Sequence, residues 1–329
     1  MWAIMNKNLK RCMILGSVIS SFLSSPVLAD ENEESLEQVM EATIFEDRFS
    51  PRSIDKIEFY PSHDLVILGN GENVAVVDAV SLEEKINLRR YEGYLGASIS
   101  PDGKYLVVEG IRTEVYDIET KEKIFESYGS AISNVSFSPD SKVLVRSDLN
   151  HAQGTINNWR VITAWSLPDL RELTYQHACE SAKISFSADS KLMEISCTRS
   201  GNTVFSLTDG EPLPSADFEP SERQVKRLPF TLEKSFESWS LVDRESGETL
   251  LSKEGNIDES RYVYSDETKM FICRVDDELR LYSLETKKKV ESFTREKYGN
   301  FASGANFSPD GQLIYLGFES GHLGVYRTP

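Results

Sequence analysis

The side chains that could do chemistry in this chain are few and widely spaced. Its four histidines, His63, His151, His177 and His322, are separated by 88, 26 and 145 positions, and no His-x-x-x-His or Cys-x-x-Cys spacing occurs. A transition metal needs several imidazole or thiolate ligands converging on one point, so neither a metal site nor a metal-based cofactor is expected. There is no Gly-x-Ser-x-Gly nucleophile elbow and no glycine-rich phosphate loop, which argues against a serine hydrolase and a nucleotide-binding enzyme. Carboxylates are abundant, with 53 Asp and Glu against 36 Lys and Arg and a net charge of −17. That excess disfavours nucleic acid, whose phosphates must be met by surplus positive charge. The run Asp276-Asp277-Glu278 lacks the alternation of a looped Ca²⁺ site and reads as a hairpin; Lys287-Lys288-Lys289 reads as a solvated turn.

What remains is a set of aromatic and polar residues in short connecting stretches. They are Tyr91-Glu92-Gly93-Tyr94, Tyr128-Gly129 and Tyr298-Gly299-Asn300-Phe301, together with the stretch Asp148 to Asn158 that ends before Trp159. Tyrosine and tryptophan on loops contribute large contact area with few rotors to freeze. The candidate binding residues are therefore Tyr94, Tyr128, His151, Asn157, Trp159, Tyr298 and Phe301. The alternative reading is that these rings fill gaps between structural units.

The elements that hold these residues repeat. One phrase returns as Ser98-Ile99-Ser100-Pro101-Asp102-Gly103, as Val135 to Ser141, as Ile184 to Ser190 and as Ala305 to Gly311, with weaker copies at Ile57 to Ser62 and Tyr262 to Glu267. Its anchors, Tyr60, Ser100, Ser138, Ser187, Ser265 and Ser308, are 40, 38, 49, 78 and 43 residues apart, so one copy is hidden in the gap of 78. A second phrase, Val115-Tyr116-Asp117, recurs at Val76-Val77-Asp78, Ala164-Trp165-Ser166, Val204-Phe205-Ser206, Leu241-Val242-Asp243 and Leu281-Tyr282-Ser283. Its copy at Asp243 places the hidden anchor near Val225, giving seven units that start near 54, 94, 132, 181, 219, 259 and 302.

Period-two alternation before each anchor predicts a strand, as in Ala97/Ile99 and Val135/Phe137. Proline presets φ in the turn that follows, and glycine accepts the positive φ after it. Three more strands complete each unit, so the fold class is all-β, in four-stranded antiparallel blades of about 41 residues. The aspartates Asp102, Asp140, Asp189 and Asp310 then belong to turns and are expected to bond their own backbone. The last unit runs out of sequence after its third strand, and Thr43 to Phe49 is the expected fourth, which would close the ring without an open seam.

This pattern resembles the WD-repeat and YVTN-type seven-bladed β-propellers over nearly the whole chain after residue 42. The Gly-His pair of the eukaryotic WD branch is missing. The Trp-Asp site holds Asp78, Asp117 and Asp243, or Ser166, Ser206 and Ser283, so the resemblance points to a bacterial-type exported branch. It implies a ligand face, the top of the disc, built from connections between units and from loops between second and third strands.

Residues 1 to 29 read as a signal peptide, with Lys7, Lys10 and Arg11, an apolar stretch from Cys12 to Leu23, and Val27-Leu28-Ala29 before Asp30. The apolar stretch is shorter than the ~20 residues a membrane span needs. Cleavage after Ala29 would leave a soluble periplasmic or secreted protein, with residues 30–42 as an acidic leader. In that oxidising setting the cysteines matter. The first turn of the fourth unit centres on 188, midway between Cys179 and Cys197, so a disulfide across one hairpin is expected. Cys273 reads as a small core residue. The function expected is a non-catalytic scaffold binding a protein partner. The alternatives are a propeller subunit of an envelope oxidoreductase, resembling the heavy chain of quinoprotein dehydrogenases, and a carbohydrate-binding module.

Overall fold

The computed structural model describes residues 36–46, 53–89, 96–110, 112–128, 134–150, 159–179, 182–197, 201–213, 218–219, 228–235 and 237–329. Among these the chain is all-β, in seven separate antiparallel sheets. Strand β1 (Gln38–Thr43) is followed by the first sheet, β2 (Lys56–Tyr60), β3 (Leu65–Gly69), β4 (Val74–Asp78) and β5 (Glu84–Leu88). The second sheet is β6 (Gly96–Ile99), β7 (Tyr105–Glu109), β8 (Arg112–Asp117) and β9 (Lys123–Tyr128). The third is β10 (Asn134–Phe137), β11 (Val143–Asn150), β12 (Trp159–Ser166) and β13 (Glu172–Cys179). The fourth is β14 (Ala182–Phe186), β15 (Leu192–Cys197), β16 (Gly201–Ser206) and β17 (Pro212–Leu213). Three strands are described in the fifth, β18 (Phe230–Lys234), β19 (Ser238–Asp243) and β20 (Thr249–Glu254). The sixth is β21 (Ile257–Ser265), β22 (Met270–Val275), β23 (Glu278–Ser283) and β24 (Lys288–Phe293). After the helix α1 (Arg295–Tyr298), the seventh sheet is β25 (Ala302–Phe307), β26 (Leu313–Phe318) and β27 (His322–Arg327), with β1 paired beside β27.

The second and third strands of the first sheet, and the middle of those in the second, are buried on both faces, which is why they read as apolar runs, whereas β15 and β19 alternate buried with half-buried residues. In the first sheet Leu65, Ile67, Val74 and Val76 pack against Leu106 and Val108 of the second sheet. Their neighbours Val66, Leu68, Ala75 and Val77 pack the other way, against Tyr315, Leu323 and Val325 of the seventh. Further apolar layers join the second sheet to the third, the third to the fourth, the fifth to the sixth and the sixth to the seventh. Between the fourth and fifth sheets, residues 214–217 and 220–227 lie outside the described residues, and with them the hidden anchor near Val225.

The repeated turns are alike in detail. Ser100, Ser138, Ser187 and Ser308 each donate a hydroxyl hydrogen bond to the aspartate two positions on, at 2.6–2.7 Å. Each serine oxygen also accepts the backbone N–H five residues on, at 2.9 Å. The fourth turn position has positive φ throughout: 76° at Gly103, 62° at Ser141, 57° at Ser190 and 71° at Gly311.

Two expectations need correction. The strand that completes the seventh sheet is Gln38–Thr43, not Thr43 to Phe49, so the supposed leader through residue 42 supplies the ladder instead. Met40 and Ala42 face the core, and Thr43 stands opposite His322. Ile44 and Phe45 lie just past the strand, both donating N–H bonds to Gly321 O, and are buried by packing on the first sheet. Their apolarity marks that packing and not a place in the ladder. The stretch from Asp148 is also not all loop, because Asp148, Leu149 and Asn150 extend β11 and pair with Val161, Arg160 and Trp159.

The junction of first and seventh sheets is tight. Ile54 N–H donates to Phe318 O at 3.2 Å, and the Ser303 hydroxyl donates to Ile54 O at 3.0 Å. A Cβ on Gly317 would collide with Ile54 O, so only glycine allows this approach.

Candidate functional site

Helix α1 occupies the connection from β24, the last strand of the sixth sheet, to β25, the first of the seventh. Thr294 caps it, accepting Lys297 N–H on its hydroxyl at 3.4 Å, and Gly299 ends it at φ 71°. The ammonium of Lys297 pairs with the fully buried carboxylate of Glu291 on β24, which also accepts Ser292 N–H. This single turn of helix is thus tethered to the sheet it leaves. Tyr298 lies half-buried with its ring centre 5.4 Å from Phe293, 6.5 Å from Phe318 and 5.5 Å from Tyr326. Of the two readings of these aromatics, Tyr298 follows the gap-filling one. Phe301, three residues on, is 47% exposed, and the Arg295 guanidinium stands 5.4 Å from its ring centre.

Between α1 and the β1–β27 edge is a cleft of about 330 Å³ whose lining includes Gln38, Glu41, Tyr298, Asn300, Ser320 and His322. His322 Nδ1 is 3.0 Å from Thr43 Oγ1, and Gln38 donates to Glu41 at 2.9 Å. The Ser320 hydroxyl oxygen is buried there without a hydrogen-bond partner among the described residues. The cleft therefore offers one carboxylate, one imidazole, amides and a hydroxyl above an aromatic floor, a set suited to hydrogen bonding and stacking.

Tyr128, at the end of β9, is the most exposed large apolar residue described, at 73%. Its backbone is nevertheless held, because the Arg146 guanidinium donates to Ser127 O at 3.1 Å and to Tyr128 O at 3.0 Å. Arg146 also sits 5.5 Å from the centre of the Trp165 ring. On the second sheet, which carries Tyr128, Glu114 is buried, salt-bridged to Arg112 and Lys123 and accepting the Tyr116 hydroxyl. Neither Arg146 nor Glu114 stands out in the sequence, since a charge inside a strand that alternates correctly carries no local signal.

Tyr94, His151 and Asn157 lie outside the described residues. Trp159 opens β12 opposite Asn150, in a ladder and not in a loop. Tyr298 and Phe301 share one connection, while Tyr128 belongs to another.

Several other titratable groups among the described residues make local structural contacts. The hydroxyl bonds from Ser187 and Ser308 hold Asp189 and Asp310 below the usual carboxylate range. Asp276 and Asp277 form the two-residue hairpin between β22 and β23, both at positive φ (48° and 69°), as such a turn requires. His63 Nε2 lies 2.6 Å from Pro101 O, bridging the first turn to the second. Glu109, near the end of β7, is pushed up to about 7 by burial, against the pull of Lys56 and of a hydrogen bond from Val135 N–H. Cys273 is a buried free thiol whose ionisation burial pushes up, whereas Cys197 is not free. No group of three or more His, Cys, Asp or Glu able to hold a metal occurs among the described residues.

The hairpin expected to place Cys179 opposite Cys197 has a different register. Cys197 faces Ala182, and Cys179 lies in β13 of the third sheet, opposite Arg160. The turn midpoint is displaced because β14 and β15 pair at Phe186↔Met193.

No protein-family model matches the chain, and no curated protein matches it.

Proposed function

We propose that the seven sheets close into a seven-bladed β-propeller of the WD-repeat and YVTN type, and that the chain is an exported, non-catalytic scaffold that binds a protein partner. The ring is supported by sheets built from successive stretches of chain, by apolar layers joining neighbours on either side of the fourth–fifth gap, and by the layer that returns from the seventh sheet to the first. The strand from the amino-terminal side beside β27 is what a ring without a seam needs. Six of seven sheet-to-sheet layers are described; the seventh would lie between the fourth and fifth sheets.

The observation that carries the binding reading is the exposure of Phe301 and Tyr128 on backbone that is itself braced, by the Glu291–Lys297 pair in one case and by Arg146 in the other. A large ring held out into water by a fixed backbone loses little entropy on contact with a partner, the economy seen at interface anchors. His63 and His322 each bridge two chain segments, which supports a scaffold over an enzyme.

Crosslinking and mass spectrometry in the native envelope tests the binding reading. A partner crosslinked to the wild-type chain and lost with the Phe301→Ala/Tyr128→Ala double variant, at unchanged melting temperature, is the expected result. Undiminished crosslinking to the double variant overturns it. Class averages from electron microscopy with six or eight wedges would overturn the ring. Export is checked by the amino terminus of the processed protein, expected at Asp30.

A further inference from the structure

We infer that Cys179 and Cys197 form a disulfide that ties the third sheet to the fourth. Cys197 ends β15, is buried, and is not a free thiol. Of the four cysteines, Cys273 is free, which leaves Cys179 and Cys12. Cys12 stands in the stretch read as a signal peptide, removed before the protein reaches its final compartment.

The fold turns Cys197 toward the third sheet. Cys197 belongs to the apolar layer between the two sheets, together with Val145, Ile162 and Ala164 of the third sheet and Phe186, Met193 and Ile195 of the fourth. It therefore faces the sheet whose outer strand ends at Cys179. Three residues after Cys179, Ala182 opens β14 directly opposite Cys197. Three residues reach at most ~10 Å, and opposed residues in an antiparallel pair lie about 4.5–5.5 Å apart. The backbone thus brings Cys179 into the neighbourhood where a bond with a Cα separation of about 4.4–6.8 Å can form. The bond spans two sheets, where a register centred on 188 would have put it inside one hairpin.

Forming it needs an oxidant, for which a protein or small-molecule disulfide serves. One cysteine thiolate attacks the donor disulfide, forming a mixed disulfide and expelling one donor thiolate. The second cysteine thiolate then displaces the other donor sulfur. The two chain thiols lose two electrons and two protons in all, and the donor leaves as two thiols. Such donors persist in oxidising compartments, so the inference rests on the export proposed above.

The test is tryptic mapping, without reduction, of the full chain produced in an oxidising compartment, with free thiols blocked in denaturant. Cleavage after Arg171, Lys183, Lys191 and Arg199 separates the two cysteines into peptides 172–183 and 192–199. The expected result is a linked pair two hydrogens lighter than the separate peptides, with Cys273 as the one blocked thiol of the processed chain. Both peptides recovered blocked, or Cys197 linked to any other cysteine, overturns the inference. The variant Cys179→Ser should expose Cys197 as a second blocked thiol, a readout that needs no folded protein. It should also lower Tm by about 5 °C; a thiol count that stays at one overturns the pairing.

Discussion

The hydroxyl of Ser141 accepts the backbone N–H of Asp102 at 2.9 Å, joining the turn of the third sheet to that of the second. Ser190 does the same for Asp140 at 3.0 Å, one sheet further on. At Gly103 the corresponding space is filled by the His63 ring, and at Gly311 by the Ser265 hydroxyl, each from the preceding turn. The fourth turn position thus contacts the turn before it in all four cases. Where it is serine, a residue disfavoured at positive φ is kept in place by the acceptor it supplies.

Substitutions at Ser141 separate these two effects. Ser141→Ala loses the bond and keeps the strained backbone, and should cost about 1–2 kcal/mol in urea denaturation. Ser141→Gly loses the same bond but relieves the backbone, so it should fall within about 0.5 kcal/mol of wild type. Equal losses in the two variants would refute the role given to the hydroxyl.

The aromatics of the candidate face should divide into two classes. Tyr298→Ala removes a ring packed on three others and should destabilise by about 2–3 kcal/mol. Phe301→Ala and Tyr128→Ala should change stability by no more than about 0.5 kcal/mol. Thermal melting of the three variants reads this directly, and a stable Tyr298→Ala protein would contradict the packing assigned to Tyr298.

Glu109 makes stability depend on pH. Its folded value of about 7 lies above the ordinary 4.5, so between these values the folded state holds the proton more firmly than the unfolded one. Stability is fullest below about 4.5 and is lost as pH rises toward 7, by at most ~3 kcal/mol. Glu109→Gln should abolish that loss, leaving the variant more stable than wild type at pH 8 and nearly equal to it at pH 4.5. Denaturant midpoints measured across this range decide the matter.

The closing strand can be tested without deleting it. Ala42→Asp puts a charge opposite Leu323 against a fully buried cluster and should cost about 2 kcal/mol or more. Glu41→Gln, on the exposed face one residue away, should be close to neutral. Matching urea midpoints for the two would show that β1 is not seated as described.

Much of this architecture was legible because its signals are local. The Ser-Pro-Asp turns and the Val-Tyr-Asp strand ends fall within a few residues, and the sheets around Ser100, Ser138, Ser187 and Ser308 begin within about two residues of the expected 94, 132, 181 and 302. What was misread depends on distant partners. Gln38–Thr43 is short, of mixed polarity and next to an acidic stretch, and it becomes a strand because β27 presents an edge to it. The Cys179–Cys197 register was taken from a midpoint that the pairing of Phe186 with Met193 displaces. At the candidate face, Tyr298 and Phe301 look equivalent in sequence. The difference between plug and exposed ring is made by Phe293, Phe318 and Tyr326, which converge from three different strands.

The pairing of Thr43 with His322 joins residues 279 positions apart. During synthesis an early segment must therefore wait, unpaired and with Met40 and Ala42 uncovered, until nearly the last strand has left the ribosome. Closing so long a loop costs conformational entropy before any contact offsets it. Folding of the seventh sheet is thus a late event, and a nascent chain stalled before residue 322 carries an open β edge, the kind of intermediate that recruits chaperones or aggregates.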